Sequence, residues 1–465
     1  MRHRGAALGL GLAAALTAGA CTAGSGTGPG ARPASGTAVP TAAASSPRIP
    51  QPAPNDILAV HPEFRLAPEN ERVDIARPTF ANPTAVTNPL FPVSAQASVL
   101  HLGTKDGQPL RTEVTTLPYT RVIDWDGQRV EVLVSQYNLF LDGRIEESAT
   151  DWYAQSDDGA VWYFGEDVAN FADGAVTDTN GTWIAGKDGP AALIMPGAPA
   201  VGQVFRPENI PGLVFEEVRV TAVDQTFDGP RGPVVGGLVA GEVHKDGTIS
   251  DKLFAPGYGE FRSSSATELE EVALVVPADA VPGPMPAQAE AIAISAGDVF
   301  DAAFTQDWPA AGTHLALLRS AWGAVAGGDI PVRIRDLLNG RLTDLADAVG
   351  ARDRSVAGQA AIDALRLGLD LQLRHRPTPE VDLARMDVWG RQLLLDAAAA
   401  DQAGVRGDSV ALKYARDRVL GAIDRRDLAR IDAVISTLEE AAADDDFNAV
   451  TQSATALRET IAARS

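Results

Sequence analysis

Asp-Gly pairs divide this chain into two regions that follow different folding rules. Eight of them occur between residues 106 and 247, and none occurs after that point. Asp-Gly is a preferred pair for tight turns that need positive φ, and here it separates short runs rich in β-branched and aromatic residues. The pattern suits consecutive hairpins better than crossover connections. It predicts an antiparallel β meander, built as one strongly curved sheet or as a sandwich, over residues 55–280. The predicted strands include Ser98–Leu102, Arg111–Thr116, Arg129–Leu141, Glu147–Gln155, Val161–Phe164 and Val214–Val223.

The hydrophobic period changes after a hinge rich in Pro, Ala and Gly at residues 277–286. Leu315, Leu318 and Trp322 are spaced by three and four residues, which places them on one face of a helix. Because amphipathic helices need partners, residues 281–465 are predicted to form an α-helical bundle of about six or seven helices. Gly407-Asp408-Ser409 is interpreted as a helix start. The later helices are predicted at Val356–Arg374, Val381–Ala400, Ser409–Ile423, Leu428–Ala442 and Phe447–Ala462. The fold class is therefore α+β and multidomain.

The N-terminus has the pattern of an export signal. Arg2 and Arg4 precede a short apolar run that ends at Ala20, and this run is shorter than the roughly 20 residues that a spanning helix needs. The sequence Leu-Thr-Ala-Gly-Ala before Cys21 resembles a bacterial lipoprotein box. Residues 1–20 are then a signal peptide, and Cys21 is the site of lipid attachment. The alternative is an ordinary secretory signal that happens to end in cysteine.

Residues 21–54 consist mainly of Gly, Pro, Ala, Ser and Thr without apolar periodicity. Such a segment cannot bury enough surface to offset its chain entropy, so it is predicted to be a disordered tether. The expected location is the extracytoplasmic face of a bacterial cell membrane, with the membrane as partner through the lipid anchor.

Charge and motif content exclude several classes of function. The chain has 61 acidic and 39 basic residues, a formal charge of −22, and this field disfavours binding to nucleic acid. A single cysteine excludes an intramolecular disulfide and a cysteine-rich zinc site. Nucleophile elbows, Walker loops, dinucleotide fingerprints and H-E-x-x-H are absent from the sequence. No cofactor and no catalytic residue is predicted from motifs.

An aromatic cluster stands out in the β region. Trp152-Tyr153 and Trp162-Tyr163-Phe164 are joined by a short turn, and Asp151 and Glu166 flank the cluster. Core packing is the first interpretation, because buried aromatic rings contribute strongly to cores. A sugar-stacking platform is the alternative, with Asp151, Trp152, Trp162 and Glu166 as ligand-binding residues.

The β region contains five distinctive sequence blocks, which are Asn88-Pro89-Leu90-Phe91-Pro92, Asp151-Trp152-Tyr153-Ala154-Gln155, Val161-Trp162-Tyr163-Phe164-Gly165-Glu166, Met195-Pro196 and Ala255-Pro256-Gly257-Tyr258-Gly259. Together these blocks resemble a family of uncharacterised bacterial exported proteins. The resemblance implies a shared β fold and an extracytoplasmic setting. It implies no activity and transfers no catalytic residue.

Three functional hypotheses follow. The leading one is a non-enzymatic envelope lipoprotein that binds another envelope component or a small ligand. The second is an enzyme acting on envelope polysaccharide, with Asp151 or Glu166 as acid or base. The third is metal or haem handling by the helical part, for instance by His314, His375 and Met386.

Overall fold

The computed structural model describes residues 66–463, so Cys21 and the predicted tether lie outside the described residues. Fourteen antiparallel strands form one open sheet in this part of the chain. The strands are β1 (Ser98–Lys105), β2 (Gln108–Trp125), β3 (Gln128–Leu141), β4 (Arg144–Gln155), β5 (Val161–Ala172), β6 (Ala175–Asp178), β7 (Trp183–Ile184), β8 (Ala192–Met195), β9 (Val204–Ile210), β10 (Val214–Gly229), β11 (Gly232–His244), β12 (Ile249–Ala255), β13 (Gly259–Ser264) and β14 (Glu268–Val276). The predicted meander is therefore confirmed.

Asp-Gly pairs make four of its tight turns. Both residues have positive φ in the turns that begin at Asp106, Asp126, Asp142 and Asp173. Two successive positive φ values define the turn type that matches the twist of a hairpin, and Asp and Gly tolerate this conformation best. These turns join β1 to β2, β2 to β3, β3 to β4 and β5 to β6. Local turn chemistry thus sets the order of the first half of the sheet.

The sheet curls until its two ends face each other. The strand order runs from β6 back to β1, continues through β14, and descends to β9. Strands β5 and β9 are far apart in this order, but β8 pairs with β5 and also contacts β9. Side chains from both ends of the order therefore line a common interior space.

Eight helices follow the sheet within the described residues. They are α1 (Ala287–Phe304), α2 (Trp308–Val325), α3 (Val332–Ala351), α4 (Arg354–Gln372), α5 (Thr378–Ala399), α6 (Gln402–Arg418), α7 (Arg425–Ala443) and α8 (Phe447–Ala462). The predicted bundle is confirmed, but it has eight helices in residues 66–463 rather than the predicted six or seven. Five of the helices begin at an aspartate whose side chain accepts hydrogen bonds from the first turn, as N-cap residues do. These caps are Asp307, Asp353, Asp401, Asp424 and Asp446.

The start predicted for α6 at Gly407-Asp408-Ser409 is wrong, because the helix begins seven residues before Ser409, at Gln402. Helix α1 has no counterpart among the predicted helices. None of the helices in residues 66–463 is both long and apolar enough to cross a membrane.

The helices pack on the face of the sheet that points away from its interior. Leu100 of β1 and Leu274 of β14 belong to the same buried core as Phe300 and Leu318 of the helices. Buried charges also join the two parts: Asp370 of α4, which is fully buried, accepts hydrogen bonds at 2.8 Å from Arg111 of β2. Strands β1 to β4 and β14 thus have helices on one face and the interior space on the other.

Candidate functional site

The interior space of the sheet is a cavity of about 710 Å³. Its wall includes residues from β3, β4 and β5 on one side and from β9 to β14 on the other. Carboxyl groups dominate the polar part of this wall. The acidic lining residues are Glu147, Asp151, Glu166, Glu208, Glu216, Asp246, Glu268 and Glu270. We call this space the main cavity.

Strand alternation determines which side chains of β4 line the main cavity. Glu147, Ala149, Asp151 and Tyr153 all line the main cavity, and they are separated by two residues each. Successive side chains of a strand point to opposite faces, so this set shares one face. Trp152 therefore points to the other face.

A β-bulge determines which side chains of β5 line the main cavity. Asp151 pairs with Glu166 and Tyr153 pairs with Tyr163, so the one residue of β4 between these pairs opposes two residues of β5. The additional residue lets Tyr163 and Glu166 face the same cavity although they are separated by an odd number of positions. Gly165 lies in the bulge with φ 110°, and a Cβ there would lie 2.1 Å from the carbonyl oxygen of Trp183. Only glycine fits this position.

Asp151, Glu166 and Glu208 form a carboxyl trio where the two ends of the sheet meet. Glu166 and Glu208 are hydrogen-bonded to each other through their carboxyl groups. One of the two must therefore carry a proton. The Tyr163 hydroxyl donates to Oδ1 of Asp151 at 2.7 Å, and the indole N–H of Trp183 donates to Oε1 of Glu208 at 3.3 Å.

Burial makes the trio weakly acidic. It raises the pKa of Asp151 to about 7, although the hydrogen bond from Tyr163 acts in the opposite direction. Burial, together with the charges of Glu208 and Asp151, also raises the pKa of Glu166 well above its ordinary value. The pKa of Glu208 is raised by burial and by the neighbouring Glu216. A desolvated carboxylate without a cation is unfavourable, so these groups retain protons near neutral pH.

A second group of charges lies further along the same wall. Glu216 of β10 is directly opposite His244 of β11, and its Oε1 lies 3.1 Å from Nδ1 of the imidazole. Burial alone would lower the pKa of His244, but Glu216 and Glu242 raise it to about 9. His244 is therefore a cation at neutral pH, and it forms an ion pair with Glu216.

Glu216, Glu242 and His244 are the one group of acidic, His or Cys side chains in residues 66–463 that could converge on a metal ion, with their ligand atoms within 4.8 Å of one another. The ammonium group of Lys252 lies 3.3 Å from Glu242 and already supplies a cation there. Neither His314 nor His375 belongs to such a group. His314 instead lies 3.3 Å from Asp298.

The structure separates the four residues of the predicted sugar platform. Asp151 and Glu166 line the main cavity, while Trp152 and Trp162 do not. The two indoles are 5% and 3% exposed and belong to an apolar core cluster of the sheet. Trp162 donates its indole N–H to Ser156, and Trp152 packs under the guanidinium of Arg121. This placement agrees with the core interpretation of the tryptophans, whose indoles lie outside the site.

Tyrosine rings, rather than the two tryptophans, line the main cavity. The rings of Tyr153 and Tyr163 are stacked with centroids 4.9 Å apart, and Tyr137 lines the same space. Tyr137 and Tyr153 also border a smaller neighbouring cavity of about 210 Å³ with Phe91 and Val93 in its wall. The site therefore combines acidic groups with aromatic faces.

Sequence reasoning did not identify Glu208, Glu216, His244 and Lys252 as parts of one site. Glu216 and Glu217 are neighbours in β10 and face opposite sides, as strand alternation requires: Glu216 lines the main cavity, while Glu217 accepts a hydrogen bond from Arg206 outside it.

Comparisons with known protein families and with curated proteins find no match for this chain.

Proposed function

We propose that this chain is a lipid-anchored extracytoplasmic protein that binds a small polar ligand in the main cavity. The volume of about 710 Å³ is within the range of roughly 300–1,000 Å³ that is typical of small-molecule sites. The observation that carries the proposal is the convergence of carboxyl and tyrosine side chains from both ends of the sheet on the main cavity. The lack of catalytic motifs in the sequence favours binding over catalysis.

A ligand screen tests the binding role. We expect at least one class in a panel of cationic, neutral and anionic small molecules to raise the unfolding temperature of the purified protein. Ala149, which lines the main cavity and is 3% exposed, provides the matched variant. Ala149→Phe fills the cavity and should abolish the shift, while Ala172→Phe, at the exposed end of β5, should keep it. Equal ligand shifts in the two variants would place the ligand elsewhere.

The anchor has a separate test. Cys21 is the only cysteine of the chain, and lipidation there accounts for the export signal and tether around it. In a bacterial host, Cys21→Ser should move the protein from the membrane fraction to the soluble fraction, and its mass should lack the acyl groups of the wild type. A wild-type protein that is soluble and carries no acyl mass contradicts the anchor.

The second candidate function, hydrolysis of envelope polysaccharide, is favoured by one observation. Asp151 and Glu166 are cross-strand neighbours in the main cavity, and both have a raised pKa because they are buried. One carboxyl group could therefore act as the general acid at neutral pH. If this function is correct, the wild type releases reducing ends from envelope glycans, and Glu166→Gln lowers that rate by about 100-fold or more. The binding proposal predicts no turnover by either protein.

A further inference from the structure

The carboxyl trio has no basic partner. No Lys, Arg or His side chain in residues 66–463 forms an ion pair within 4 Å of Asp151, Glu166 or Glu208. Asp151 and Glu208 are 7% and 6% exposed, and both line the main cavity. Glu147 lines it two strand positions from Ala149, and burial raises its pKa to about 7 although the charge of Lys105 acts in the opposite direction. The buried carboxyl groups of the trio therefore lack a cation that would stabilise their charged forms.

Other basic groups in the same wall are already neutralised. His244 pairs with Glu216 at 3.1 Å, and Lys252 pairs with Glu260 at 3.0 Å. Lys105 lies 3.5 Å from Glu146. The remaining basic residue of the wall, Lys245, donates to the backbone oxygens of Gly212 and Leu213 at 2.8 and 3.0 Å. These basic groups are therefore already engaged away from the trio.

We infer that the main cavity binds a small organic cation, with an amine or guanidinium group held by Asp151, Glu166 and Glu208. The inference rests on the proposed ligand-binding function and names the chemical class of the ligand. Carboxylates form charge-assisted hydrogen bonds with such groups. The stacked rings of Tyr153 and Tyr163 stand beside the trio, and the faces of aromatic rings attract cations. The open volume accommodates the carbon skeleton that carries the charge.

Cation binding exchanges with protons at this site. Without ligand, the trio retains protons because burial raises the pKa of its members. A bound ammonium group favours their charged forms, so binding releases protons and affinity rises with pH while the amine itself stays protonated. The titratable groups that act on the trio are Glu147 and Tyr153 of β4, Tyr163 of β5, Glu216 of β10 and Glu242 of β11. The charge of His244 acts on Glu216 and Glu242.

Calorimetry with a matched pair of probes tests the inference on the purified protein. We expect 1,6-diaminohexane to bind and 1,6-hexanediol, which has the same length without charge, not to bind. The affinity for the diamine should rise between about pH 6 and pH 8, by up to about tenfold per pH unit for each proton released. Titrations in two buffers with different ionisation enthalpies count those protons directly.

Two variants locate the binding groups. Glu208→Gln and Glu166→Gln keep the shape of the side chain and remove its charge, and each should weaken diamine binding by about tenfold or more. Glu131→Gln removes one charge from an exposed position of β3 and should leave the affinity unchanged. Equal losses in all three variants would show a general charge effect and overturn the assignment to the trio. Retained affinity in Glu208→Gln and Glu166→Gln would overturn it as well.

The outcomes separate this inference from the proposed function. If a neutral or anionic compound binds the wild type but not Ala149→Phe, and the diamine binds neither, the inference of an organic cation is wrong and the proposed ligand binding is supported. If Zn²⁺ alone binds, the assignment to an organic cation is overturned. If no compound of any class binds, both the inference and the proposed function fail.

Discussion

Buried acids give this protein a pH dependence of the opposite sign to ordinary acid unfolding. Burial raises the pKa of both Asp151 and Glu147 to about 7, whereas carboxyls in an unfolded chain titrate near pH 4. Between these values the folded protein holds protons that the unfolded chain has released. The free energy of unfolding should therefore fall as pH rises from about 4 to 7, by up to about 1.4 kcal/mol per unit of pKa difference.

Asp151→Asn removes one of the titrating groups and should make that decline shallower in urea unfolding series measured between about pH 5 and pH 7.5. Asp157→Asn is the control, since Asp157 is exposed and has its pKa lowered by hydrogen bonds from Thr79 and Ala81. Its stabilisation is present above the unfolded pKa and is lost only as pH falls, so the slope above pH 5 should not change. A wild-type protein whose stability rises steadily from pH 5 to 7.5 would contradict the protonated trio.

Single residues of the site were partly accessible to sequence reasoning. Asp151 and Glu166 could be named because they flank a conspicuous aromatic cluster, but which neighbours share their face depends on the bulge at Gly165. Without that bulge, period-two counting from Tyr163 puts Glu166 on the side of Trp162. Glu208 lies more than 40 residues further along the chain and meets Glu166 only because the sheet curls. Local sequence patterns do not predict that curvature of the sheet.

At the level of elements, the bulge in β5 is the feature that builds the site. Gly165→Ala introduces a Cβ at φ 110° and within 2.1 Å of a backbone oxygen, so the strand must shift. We expect a loss of about 2 kcal/mol or more in the free energy of unfolding. Gly212→Ala is the matched control, because it has φ 78° and nothing within 4 Å of the added atom. It should cost about 1 kcal/mol.

Binding distinguishes this change from a general loss of stability. Because Glu166 follows Gly165 directly, a shifted bulge moves the trio, and any ligand of the main cavity should lose affinity in Gly165→Ala under conditions where the variant is fully folded. Gly212→Ala should bind as the wild type does. Equal stability and equal ligand affinity in the two variants would mean that the bulge does not position the site.

Two helical elements show where sequence patterns mislead. Helix α6 contains Gly404 and Gly407, and glycines favour a prediction of a helix end or start. Here they permit contact: a Cβ on Gly404 would lie 2.3 Å from the Arg144 guanidinium, and one on Gly407 would lie 3.3 Å from Cα of Gly174. Helix α1 escaped prediction because much of its buried face is alanine rather than leucine. Close packing against other elements decides both cases.

For the whole molecule, the change of hydrophobic period correctly predicted a β meander followed by a helical bundle. It did not predict how closely the two parts are joined. Arg111 of β2 and Arg385 of α5 both donate to the fully buried Asp370 at 2.8 Å. Glu113 of β2 in turn accepts a hydrogen bond from Arg418 of α6. Some of these paired residues are hundreds of positions apart in the chain, so a hydrophobic period cannot predict their contact.

This shared core predicts that the sheet and the helices unfold together. Asp370→Asn leaves two buried guanidinium groups without their common charge partner and should lower the free energy of unfolding by about 3–5 kcal/mol. Asp344→Asn breaks an exposed pair with Arg341 at 3.2 Å and should cost less than about 1 kcal/mol. In hydrogen exchange measured by mass spectrometry, Asp370→Asn should lower protection in β2 and in α4 and α5 by the same factor, because one cooperative opening exposes them. Loss of protection confined to the helices, with β2 unchanged, would show that the two parts are independent domains that merely touch.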